Sequence, residues 1–148
     1  MFLSICDEIG ERSKQLEAHK QLGEAHSKNG NIHAAKTHFE HMKKIAQDER
    51  GQHKAQADAH LKLGLLNYQQ GFVTQSVQEL NRHFYLAKDS TEEARDQSLI
   101  DAARVNLGIA KAHQSMELFK GLVLQDLHGL LDWKISGRLA KKWTALFE

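Results

Sequence analysis

The chain has 148 residues, 41% hydrophobic and 26% charged, which suits one globular domain with its own hydrophobic core. Twenty basic residues against nineteen acidic ones leave a net charge of +1, so nothing favours nucleic acid or an anionic membrane as partner. One cysteine, Cys6, excludes an internal disulfide framework and a cysteine-rich zinc site, and no apolar run approaches the ~18 residues that span a bilayer.

The first stretch, MFLSICDEIGER, has neither the basic segment nor the apolar length of a signal peptide, so a reducing, cytoplasmic location is expected. Ile5 precedes Gly23 at nearly the distance by which Ile45 precedes Gly64, so residues 1–11 read as the tail of an incomplete helical unit. Next comes LEAHKQLGEAHSKNG, a helical stretch closed by Gly30. After it, Ile32, Ala35, Phe39, Met42 and Ala46 form one stripe at helical spacing. Asn31 stands where a helix N-cap is needed. The pattern then recurs: ADAHLKLGLLNYQQG ends at Gly71, and Val73, Val77, Leu80, Phe84 and Ala87 repeat the stripe. Gly64 follows Gly23 by 41 residues, and Gly108, in VNLGIA, follows Gly64 by 44.

Each closing glycine suits the left-handed turn that ends a helix. The inner glycines, Gly23 and Gly64, cost about 1 kcal/mol of helix propensity and are tolerable where a partner helix comes close. Ala35 and Ser76, twelve residues after them, predict a crossing of small residue against small residue, with Phe39 and Phe84 both buried behind it. In the third unit, STEE (Ser90 to Glu93) reads as a capping box that lengthens the leading helix, and no closing glycine follows Gly108. Its second helix carries Met116, Phe119, Val123, Leu127 and Leu130 in a stripe that Leu118, Leu122, Leu124 and Leu131 widen. The last segment, RLAKKWTALFE, has Leu139, Trp143 and Leu146 with which to cover it.

Leu-Gly on a first helix, glycine at the turn and a small residue on a second helix resemble the tetratricopeptide repeat. The likeness covers residues 12 to 90 and, more loosely, 91 to 132. The period of 41 to 44 exceeds the usual 34 and is similar to the long-repeat class found in Pins-type adaptors, kinesin light chain and axonemal proteins. The resemblance implies an all-α, right-handed α-solenoid of antiparallel helix pairs with about seven helices. Its units would be 1–11, the incomplete repeat; 12–50 and 51–90, two full repeats; 91–132, a divergent third; and 133–148, a tail or cap.

In that family the first helices line a concave groove. The matching positions are Lys20, Glu24, Ser27 and Lys28, then Leu61, Leu65, Tyr68 and Gln69, then Val105, Ile109, Ala112 and His113. The family's clamp for acidic chaperone tails has asparagine after the glycine, where this chain has Glu24, Leu65 and Ile109. The apolar half suits a partner helix; alternatively Leu61, Leu65 and Ile109 pack against neighbouring helices. At the ends, Phe2, Leu3, Ile5, Leu122, Trp133 and Trp143 are candidate contacts, because a half-repeat cannot bury its apolar face alone. Either the chain is a piece of a longer array or Phe2, Leu3 and Ile5 dock on another molecule; for Trp133 packing against the last segment is the commoner role, with an interface anchor as the alternative.

Catalytic motifs are missing from the pattern. His38 and His41 stand three apart without a third ligand at a convincing spacing, and Cys6 has no neighbouring base. The expectation is a non-enzymatic protein without cofactor, metal or small-molecule substrate. It would bind other proteins, either as a structural scaffold in a cytoskeletal or axonemal (ciliary) assembly or as an adaptor whose groove takes a peptide or helix.

Overall fold

The computed structural model describes residues 12–48, 52–89 and 96–136. Six α-helices and no strand occur among them. They are α1 (Arg12–Lys28), α2 (Ile32–Asp48), α3 (His53–Gln69), α4 (Val73–Lys88), α5 (Gln97–Gln125) and α6 (Leu127–Ser136). Each helix packs on its neighbour in sequence. The expected helix tail at 1–11, the STEE cap at 90–93 and the C-terminal stretch with Leu139, Trp143 and Leu146 lie outside the described residues, as does the side chain of Leu118.

Two turns make the first two pairs alike. Gly30 and Gly71 take φ of 75° and 80°, the left-handed region that a Cβ disfavours. Around each, the amide three residues past the helix returns to the preceding turn: Asn31 N donates to His26 O and Phe72 N to Asn67 O, both at 2.9 Å. Gly30 N and Gly71 N donate to Ser27 O and Tyr68 O, which completes the six-to-one and five-to-two bonds of a Schellman ending. Asn31 Oδ1 accepts from Ala34 N at 3.4 Å, in line with its expected capping place.

The helix crossings differ from expectation in what fills them. A Cβ on Gly23 would stand 2.5 Å from the Phe39 ring, and one on Gly64 would stand 2.7 Å from Leu80 Cγ. The glycines therefore receive a large side chain sixteen residues on, not merely a small one. Ala35 and Ser76 are buried alongside, and Ser76 Oγ donates to the Gly64 carbonyl at 2.8 Å. This register makes Leu80 the counterpart of Phe39. Phe39 is 1% exposed, as expected, but Phe84 sits one turn further along and is only half-buried, against Leu80, Leu107 and Ile100.

The third unit departs most. Where a second hairpin partner was expected, α5 runs unbroken for 29 residues, roughly 43 Å. Ser115 occupies the place that Gly30 and Gly71 hold in the first two units, and without glycine the helix simply continues. The helix starts at Asp96, whose carboxylate accepts from Leu99 N at 3.2 Å. It ends at Asp126, whose Oδ1 accepts from Gly129 N at 2.9 Å and so caps α6. The first half of α5 seats Ile100, Ala103, Leu107 and Ala110 against α4 and the residues around it.

Candidate functional site

No described residue group assembles three His, Cys, Asp or Glu side chains around a metal-sized position. The candidate surfaces lie on the helix faces. Lys20 and Glu24, expected to face a ligand, instead bind α3 across the α1–α3 cleft: Lys20 Nζ to Asp58 Oδ2 at 2.8 Å, and Lys62 Nζ to Glu24 Oε1 at 2.7 Å. The Asp58 hydrogen bond raises the Lys20 pKa, and the Lys62 ammonium holds Glu24 below the usual carboxylate range. Both pairs are partly exposed, so each contributes at most about 1 kcal/mol.

Two clefts flank these bridges. One, of about 400 Å³, is lined by Leu16, Lys20, Met42, Asp58, Leu61, His83 and Leu99. The other, of about 290 Å³, brings together five expected groove residues, Glu24, Ser27, Lys28, Leu65 and Gln69, with Lys62. The apolar half of the expected groove divides. Leu61 and Tyr68 are half-buried against Leu80, Leu107 and Ala110, and the Tyr68 ring meets His113 edge-on at 5.5 Å. Leu65, Val105 and Ile109 are exposed at 38%, 59% and 52%.

Of the expected end contacts, Leu122 is corrected: at 1% exposed it lies inside the chain's own packing. Trp133 on α6 meets Phe119 of α5 edge-on at 6.3 Å, whereas the internal packing expected for it was against the last segment, outside the described residues. Phe2, Leu3, Ile5 and Trp143 lie outside the described residues. Exposed apolar residues gather elsewhere on the same arm: Met116, Phe119, Val123, Leu124, Leu127, Leu131 and Ile135 show from 40% to 84% of their surface. Ile135 had no signal beyond its hydrophobicity.

Sequence spacing also leaves a polar cluster unannounced. His60 Nδ1, on α3, donates to Glu79 Oε2 of α4 at 2.5 Å, and Lys43 Nζ of α2 reaches Glu79 Oε1 at 3.2 Å. Burial pushes the Glu79 carboxyl up, but His60 and Lys43 outweigh it and hold the pKa below the ordinary value. At the same offset in the first pair, His19 Nδ1 faces His38 Nδ1 at 3.1 Å, so one ring donates and the other accepts. His41 stacks on His19 and His26 on His38, with ring centres 5.2 and 5.4 Å apart. The shared offset of nineteen residues is the signal that links the two contacts.

No described helix is long and apolar enough to cross a membrane. No family model, no curated protein and no solved structure matches this chain.

Proposed function

We propose that this chain is a non-catalytic scaffold of tetratricopeptide type, a short right-handed solenoid that positions other proteins within a larger assembly. The repeat assignment draws support from the two glycine crossings, each filled from sixteen residues on, and from the two matching Schellman turns. The observation that carries the function is the apolar arm of α5 and α6, where Leu124 is 80% and Ile135 84% exposed. Apolar surface of this kind, gathered in one region, marks an interaction site more often than a free surface. The long period resembles that of axonemal and cytoskeletal repeat proteins, and such an assembly is the setting we propose.

The test is site-specific photo-crosslinking in cells, with the crosslinker at Leu124 or Leu131 and, as control, at exposed Lys44 of α2. The scaffold reading expects discrete protein adducts from the two arm positions and none from the control. Equal labelling at all three positions, or none at the arm, would sink it. A second reading, an adaptor that takes a peptide between α1 and α3, is favoured by the 290 Å³ cleft. It expects adducts at Leu65 or Lys28 instead.

A further inference from the structure

One face of α5 lacks a covering that the same face of α3 possesses. On α3, His60, Gly64 and Asn67 are all buried, and α4 lies over the first two through Glu79 and Leu80. The same offsets on α5 are Arg104, Gly108 and Lys111, and all three are exposed. A Cβ on Gly108 would meet nothing within 4 Å, whereas Gly23 and Gly64 are each filled by a neighbour. Val105, Ile109 and Ala112 run beside this face and are exposed too. The seat is therefore built like two occupied ones in the same chain, and those two state what fits it.

The chain's own next segment does not fit. Twelve residues after each filled glycine stands a small, fully buried residue, Ala35 or Ser76, both 0% exposed. Twelve residues after Gly108 stands Lys120, whose ammonium pairs with Glu117 at 2.7 Å in solvent. Burying that side chain at a helix crossing would strand its charge. An occupant must therefore come from outside α5.

We infer that the Arg104–Gly108–Lys111 face of α5 is a docking seat for an amphipathic helix of another protein, one that carries a small residue, then an acidic residue three positions on, then a large apolar residue directly after it. The large residue enters the space over Gly108, as Leu80 does over Gly64. Arg104 already pairs with Asp101 at 2.7 Å in solvent, so the carboxylate shares that guanidinium, and Lys111 supplies the net positive charge of the face. Charge complementarity selects an acidic helix over a basic one. The inference rests on the repeat reading and names the chemistry of one partner for it.

The experiment uses the full chain and a hydrocarbon-stapled helical peptide of the Val73–Lys88 sequence, which carries Ser76, Glu79 and Leu80 in the required order. Binding is read by fluorescence anisotropy. Gly108→Leu should weaken it about tenfold or more by filling the seat. Arg104→Glu should weaken it about two- to fivefold, and a Glu79→Arg peptide should restore that loss. The melting temperature of the free Gly108→Leu chain should not fall, because the added side chain meets open space. Binding that is indifferent to Gly108→Leu, or absent at about 1 mM peptide, overturns the proposal. Self-association of the chain that Gly108→Leu abolishes would put a second copy in the seat and also overturn it. Gly64→Leu separates the two levels. If it destabilises the chain while the peptide fails to bind, only the docking seat is lost; if it does not, the repeat reading is lost as well.

Discussion

At Gly64 one hydrogen stands where any other residue would place a carbon 2.7 Å from Leu80. Gly64→Leu should therefore cost about 1–3 kcal/mol through overpacking. Gly108→Leu should be neutral or stabilising, by up to about 1 kcal/mol of recovered helix propensity. Chemical denaturation of the two variants side by side checks this contrast, and equal effects would contradict it. Phe39→Ala should cost about 3–5 kcal/mol, and Phe84→Ala clearly less because its ring is only half-buried. Sequence showed that the inner glycines need a close neighbour but not which one, because a stripe at helical spacing contains several large residues a turn apart. Phe84 looked like the partner of Phe39 by residue type, while the offset from glycine selects Leu80. The imidazoles add a pH dependence. Burial, reinforced by His26 and His41, lowers the His38 pKa, and burial lowers that of His83, whose Nδ1 donates to Ala57 O at 2.8 Å. The unfolded chain thus binds protons that the folded one refuses, so stability is full above about pH 6.5 and falls as pH drops through the folded values. Denaturation midpoints at neutral and mildly acidic pH should show that fall, and His38→Gln should reduce it. A midpoint that rises on acidification would contradict the assignment.

Between helices, the turn residue decides whether a unit folds back. Gly30 and Gly71 hold the left-handed conformation, and alanine there should cost about 1–2 kcal/mol each. Ser115 lacks that freedom, and α5 continues through it as a helix. The hairpins at 12–48 and 52–89 were legible because glycine, period and stripe all agree. The straight α5 was half-legible: the missing glycine was visible, but the apolar stripe after it suggested a second helix. Lys120, twelve residues after Gly108 at the small-residue place of the crossing, was also legible and opposes closure, but the stripe outweighed it. Glu24, Ser27, Lys28, Leu65 and Gln69, named through the family resemblance, line one cleft, whereas the ion pairs that occupy Lys20 and Glu24 depend on Asp58 and Lys62 reaching across from another helix. Long-range charge pairing of that sort has no local periodicity to betray it.

For the molecule as a whole, the balance between its two ends governs behaviour in solution. The packed part, α1 to α4 with the first half of α5, buries Phe39, Leu63, Leu80 and Leu107 and pairs several of its charges across helices. The distal arm does the opposite: among the described residues Phe119 of α5 meets Trp133 of α6 edge-on and Leu122 is buried, while seven large apolar side chains are exposed by 40% or more. Such an arm on an isolated chain has two fates in water: it pairs with another apolar surface, or it binds hydrophobic probes. Light scattering of the purified chain should show mass rising with concentration, and a naphthalene sulfonate dye should brighten on it. Leu124→Glu combined with Leu131→Glu should suppress both. These residues are 80% and 49% exposed, so the double substitution should leave the unfolding free energy within about 0.5 kcal/mol of the wild-type value. A wild-type chain that stays monomeric and dark to the dye would show that the arm satisfies itself, and the scaffold role would lose the surface on which it rests.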